Sequence, residues 1–150
     1  MIHVTRARAR YAETDVGGVV YHSNYLYWFE IGRTEMMRDS GHRYSHFERD
    51  RGLLLTVAET HLEYRSPVRY DDLVRIESWL TDFKRVQFTV RHRISTEETG
   101  TLAATGFIRL ACVDRAGKVR PIPEDVAASL KKWIGDGNAT AAPVVSSGRG

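Results

Sequence analysis

From Leu53 to Val113 apolar and polar residues alternate with a period of two, whereas the stretch before it carries a long aromatic and aliphatic cluster with no such alternation. The alternation predicts four strands, Leu53 to Tyr64, Leu73 to Asp82, Val86 to Ile94 and Leu102 to Val113. In the third, Val86, Phe88, Val90, His92 and Ile94 share one face, and Arg85, Gln87, Thr89, Arg91 and Arg93 share the other. Ser66-Pro67, Glu97 to Gly100 and Asp114 to Gly117 punctuate these runs as turns.

An earlier strand spans residues 2 to 11, with Arg6, Arg8 and Arg10 set against Ala7, Ala9 and Tyr11. A helix then starts from a cap at Ser23 or Asn24, runs to about Ser40 and stops at Gly41. Its apolar positions, Tyr25, Leu26, Trp28, Phe29, Ile31 and Met36, cover more than one face, the pattern of a buried helix. Pro121 and Pro123 precede a short terminal helix, Glu124 to Ile134. One strand, one broadly apolar helix and four antiparallel strands predict an α+β domain over residues 1–135, a twisted sheet curling round the helix. Such a sheet keeps a free edge and an uncovered face, which a second copy of the chain would close. Residues 136–150 are small and polar and read as a disordered tail.

Composition narrows the function classes. The 150 residues, 42% apolar and 27% charged, suit one globular domain. The lone Cys112 forbids an internal disulfide and fits a reducing, cytoplasmic setting. The longest aliphatic run, Leu53 to Ala58, is too short for a membrane span, and the N-terminus lacks the apolar core of a secretory signal. None of the six histidines stands in a metal-ligand motif, so no metal is expected; His42 and His46 read as solvated. The net charge of +3 and pI near 9.2 admit an anionic partner: nucleic acid, acidic membrane or a phosphorylated cofactor.

Chemistry concentrates in Glu13 to Glu30, where Asp15 precedes Gly17 and Gly18 and the aromatic helix follows. Alone, an Asp beside glycines is a turn-former that bonds its own backbone. The run Asp15-Val16-Gly17-Gly18-Val19-Val20-Tyr21-His22-Ser23-Asn24-Tyr25, however, resembles the signature of hotdog-fold acyl-CoA thioesterases of the 4-hydroxybenzoyl-CoA thioesterase type. That signature is Asp, two spacers, Gly, two aliphatics, any residue, Tyr or His, any residue, then Asn-Tyr. Tyr70-Asp71-Asp72-Leu73 and the basic turn Asp82-Phe83-Lys84-Arg85 add to the likeness, which covers roughly residues 5 to 125.

The resemblance implies a hotdog fold and hydrolysis of an acyl-CoA thioester, on a short-chain or aromatic acyl group, by a homodimer or homotetramer. Coenzyme A then enters as part of the substrate, with no separate cofactor. It implies that Asp15 is nucleophile or general base and that the backbone N–H of His22, at a helix N-terminus, polarises the carbonyl. Gly18 would let the backbone approach the substrate closely. His22 stands where the hydroxybenzoyl enzyme has Tyr and where the related Tol-Pal-operon-type thioesterases have His. Tyr25 falls on the substrate side by resemblance and in the core, with Trp28 and Phe29, by its own pattern. Glu30 matches an acid placed near a ring hydroxyl, though alone it reads as a solvated helix residue. Lys84 and Arg85 resemble a coenzyme A phosphate site, though alone they read as a solvated turn. A hotdog enoyl-CoA hydratase and a basic nucleic-acid-binding module remain as alternatives, the latter resting on the arginines of residues 6 to 10 and 91 to 93.

Overall fold

The computed structural model describes residues 1–138, and within them five strands form one antiparallel sheet. Strand β1, His3–Arg8, leads through a 3-10 turn, Tyr11–Glu13, and a small hairpin into helix α1, Asn24–Asp39. A second helix, α2, Tyr44–Arg51, precedes β2, Leu53–Tyr64; then come β3, Leu73–Thr81, β4, Gln87–Thr96, and β5, Leu102–Asp114. Helix α3, Glu124–Leu130, closes with a 3-10 turn, Lys131–Trp133. The sheet order is β1-β3-β4-β5-β2, which leaves β1 and β2 at the edges and lays α1 across the concave face. This is the hotdog arrangement.

Differences from the sequence-based expectation have local causes. The first strand ends at Arg8, because Tyr11–Glu13 winds into a 3-10 turn that returns Glu13 N–H to the Arg10 carbonyl. β3 stops at Thr81, where Asp82 takes a φ of 51° and turns the chain out of the sheet. α2 is an unexpected helix: of its eight residues only Phe47 is buried, so no apolar period announces it. The terminal helix tightens after Leu130, which swings Trp133 inward to donate from Nε1 to Ser40 Oγ at 2.8 Å. Ser23 is the N-cap, but neither its side chain nor that of Asn24 makes a capping hydrogen bond. Most of the expected tail lies outside the described residues; its first part, Asp136 to Asn138, brings Gly137 against the Trp79 ring.

All five strands supply one row beneath the helix. Register pairs His3 with Ser78, Ser78 with His92, His92 with Gly106 and Gly106 with Leu62. Phe29 of α1 stacks on His92 at 4.5 Å between ring centroids, and Ser78 Oγ lies 2.9 Å from His92 Nδ1. Glycine makes this closeness possible. A Cβ at Gly106 would sit 2.2 Å from the His61 carbonyl oxygen and 2.8 Å from the Phe29 ring. A Cβ on Gly32 would meet Ser78 Oγ at 2.5 Å.

Burial pushes His92 down to about 3, so the ring is neutral in the fold. Its stabilising effect is therefore complete above the unfolded value near 6.5 and falls as pH drops from there toward 3. Denaturant unfolding across that window should lose up to ~1.4 kcal/mol per pH unit from this group, and His92→Leu should remove that slope. Parallel curves for the two proteins would mean that His92 is solvated. Separately, Gly106→Ala should lower stability by roughly 1–3 kcal/mol, because both backbone and Phe29 must shift; an unchanged denaturation midpoint would contradict the packing described.

Candidate functional site

Asp15 opens a tight hairpin. Its N–H donates to the Val19 carbonyl at 2.9 Å, its carbonyl accepts from Gly18 at 3.0 Å, and Gly18 takes a φ of 73°. A three-residue loop closed by a left-handed residue calls for glycine there, which gives Gly18 a conformational role. One carboxylate oxygen of Asp15, Oδ1, accepts the Gly17 N–H at 3.0 Å, so the turn-forming contact is real. The side chain is nonetheless exposed, and Oδ2 has no hydrogen-bond donor among the described residues. Turn-forming and reactive roles coexist in one residue.

The hairpin is fastened at both ends. Val20 N–H donates to the Val68 carbonyl at 2.8 Å and Tyr21 N–H to the Glu13 carbonyl at 2.8 Å. The chain then enters α1 through Tyr21, His22 and Ser23. Tyr64 donates its hydroxyl to the His22 carbonyl at 2.6 Å, which ties this entry to the end of β2. With no capping side chain, the N–H groups of His22 and Ser23 find no acceptor among the described residues. The unpaired amides and the positive end of the helix dipole together make an anion-stabilising locus. The hairpin tip lies two extended residues, roughly 7 Å of backbone, from the Glu13–Tyr21 pair that leads into it.

The remaining residues are distributed unevenly. The His22 ring is exposed against Tyr21 at 4.3 Å. Tyr25 is 3% exposed and packs edge-on between Trp28 and Tyr64, so within one chain it is core and supports the helix N-terminus from below. Burial raises its hydroxyl pKa, offset in part by its hydrogen bond at Val68. Glu30 is exposed, nearly two turns along α1. Lys84 and Arg85 do not join Asp15 in the same chain. Lys84 N–H donates to the Gln87 carbonyl, at the sheet end marked by His3, Thr81 and Leu53, whereas the hairpin sits at the end marked by Arg8, Leu73 and Tyr64. The 16 residues of α1 put those ends about 24 Å apart.

Sequence reasoning missed Tyr64 and Arg33. Tyr64 closes a strand and gives no sign of reaching the helix; Arg33 lies one turn beyond Glu30 and turns inward. Two grooves flank the bare face of α1. One, about 310 Å³, runs from Ser23 to Arg33 against Val57 and Thr60 of β2; the other, about 650 Å³, lies against Ala7 and Arg10 on the β1 side. Leu26, Tyr27 and Ile31 remain exposed between them, so one face of the helix expected to be covered is open in the single chain.

The comparisons fall on this same stretch. A family model described as the thioesterase-like superfamily matches residues 9–130. Over 116 residues the chain is 34% identical to the putative acyl-CoA thioesterase YneP of Bacillus subtilis, covering 76% of this chain and 83% of that one. It is 32% identical over 130 residues to the acyl-CoA thioester hydrolase YbgC of Escherichia coli, covering 83% and 92%. The crystal structure of the hypothetical protein TT1821 from Thermus thermophilus superposes with a TM-score of 0.83 at 34% identity, covering 91% of this chain and all of that one. From the Asp15 hairpin to the terminal helix, the chain belongs to the thioesterase-like superfamily.

Proposed function

We propose that this protein hydrolyses an acyl-CoA thioester to the free acid and coenzyme A. The observation that carries the reading is an exposed, half-bonded carboxylate, Asp15, on a hydrogen-bonded hairpin beside an uncapped helix N-terminus. The thioester oxygen accepts from the backbone amide of His22, which stabilises the charge that develops there. Asp15 then either attacks the carbonyl carbon, releasing the thiolate and leaving an anhydride for water to open, or takes a proton from the attacking water. In both routes the acyl carbon exchanges sulfur for oxygen. A hydratase would need a histidine working with the acid; His92, 1% exposed, is sealed in the core, and the exposed His22 ring packs on Tyr21 with no hydrogen bond to Asp15 among the described residues. The nucleic-acid reading loses support because Arg6, Arg10 and Arg93 each face a carboxylate, on Glu97, Glu13 and Glu77.

The unit we infer is a homodimer, or a tetramer of such dimers, in the cytoplasm. β2 has a free edge, and Leu26, Tyr27 and Ile31 of the neighbouring helix are exposed beside it. Two-fold pairing along that edge runs two copies antiparallel, so the Lys84–Arg85 end of one approaches the Asp15 end of the other. Such pairing would let cations at the far end of their own chain serve a site by holding the coenzyme A phosphates for the partner. The substrate brings the coenzyme, and the reading requires no separate cofactor.

Asp15→Asn keeps the turn and removes the charge; kcat should fall roughly 10²–10⁴-fold with KM little changed, measured by free-thiol release. Near-normal turnover in a folded variant would sink the assignment. His22→Tyr should keep substantial activity because the amide remains, and a loss as large as that of Asp15→Asn would implicate the imidazole instead. Replacing Lys84 and Arg85 together with Ala should raise KM for acyl-CoA about tenfold and cost far less on an acyl-pantetheine, which lacks the nucleotide. Equal losses on both substrates would point to assembly, not phosphate binding.

A further inference from the structure

Beyond the β2-side groove, α1 and α2 border a cavity of about 70 Å³ with a mainly apolar lining and a polar corner. Met37, Phe88 and Leu110 form its apolar wall, while Arg33, Thr34 and Tyr44 supply donors. Arg33 belongs to both spaces, so the groove that begins at Ser23 leads to it. We propose that this cavity is the far end of the acyl site and takes an acyl group ending in a carboxylate, the mono-CoA thioester of a dicarboxylic acid, with Arg33 as the selecting residue. The proposal rests on the thioesterase reading above.

Three observations favour a carboxylate over a plain alkyl end. A guanidinium is costly to bury without an anion, yet Arg33 is drawn inward and burial holds its pKa below the usual arginine range. No carboxylate lies within ion-pair distance of it among the described residues; Glu30, which also lines the cavity, is the nearby acid and is itself exposed to solvent. Tyr44 oxygen already accepts the Leu55 N–H at 3.1 Å, so its own proton is left to donate. A planar fork and a hydroxyl converging on one small space match a carboxylate.

Geometry also sets the length. Ser23 and Arg33 are ten residues apart, about 15 Å along the helix, and the arginine side chain leans back toward the N-terminus by several ångströms. The remaining gap suits an acyl chain of roughly six to eight carbons rather than two to four.

The test compares adipoyl- and suberoyl-CoA with hexanoyl- and octanoyl-CoA, on the wild-type protein and on Arg33→Met. Wild type should favour the diacid thioesters by about tenfold to a hundredfold in kcat/KM, the range of one charge-assisted pair, and Arg33→Met should collapse that ratio to one or below. Calorimetric binding of free adipate against hexanoate gives a readout that does not depend on turnover. Adipate binding lost in Arg33→Met, with no acyl-CoA of either series hydrolysed, would uphold the subsite and overturn the thioesterase reading. Hydrolysis of hexanoyl-CoA as fast as adipoyl-CoA, with Arg33→Met lowering both alike, would overturn the subsite and leave the thioesterase reading standing. A change in oligomeric state of Arg33→Met by size-exclusion chromatography would make Arg33 an interface residue and likewise overturn it.

Discussion

Everything in this molecule depends on how closely α1 can lie on the sheet. The helix comes down where the sheet offers a glycine, Gly106, and where it offers one itself, Gly32. Between them Phe29 stacks on His92, whose Nδ1 lies against Ser78 in the neighbouring strand. A neutral imidazole buried under a helix gains from the aromatic face and costs in desolvation, and the serine offsets part of that cost. The contact sets the depth, rotation and direction of α1, with Asp39 beside His3 at one end and Tyr64 holding the His22 carbonyl at the other.

The site follows from that direction. Because α1 begins at the sheet end where β2 finishes and β3 starts, its open N-terminus meets the Asp15 hairpin, itself pinned to Val68 in the link between those strands. Because the sheet buries one side of α1 only, Leu26, Tyr27 and Ile31 stay exposed next to a free strand edge. One packing decision thus yields an activated helix end and a surface suited to a second copy. The proposed two-copy site would link them, since the cationic turn at Lys84 and Arg85 lies at the opposite end of its own chain from Asp15.

Legibility in the sequence tracked the strength of local periodicity. β2 and β5 were readable to within a residue, because long alternating runs sit between unambiguous turns. α2 was invisible because a helix resting on the surface by one buried phenylalanine leaves no period to count. Asp15, Gly18 and His22 could be placed because a contiguous motif puts them within eight residues of one another. Tyr64 and Arg33 could not, since their contacts come from register and helix rotation, which depend on residues far away in the chain. The apolar breadth of α1 is legible in the sequence, and its uncovered face appears only when the sheet is folded beneath it.

A composite site makes a demand that single-chain variants cannot test. Subunits carrying Asp15→Asn, mixed and reassembled with subunits carrying both Lys84→Ala and Arg85→Ala, give hybrids in which one site regains every group and the other loses all of them. Steady-state kinetics on the purified hybrid should show turnover with the KM of the wild-type protein, carried by that single intact site. If the hybrid shows only the high KM of the double-alanine parent, acid and cations belong to one chain and the two-copy account is wrong.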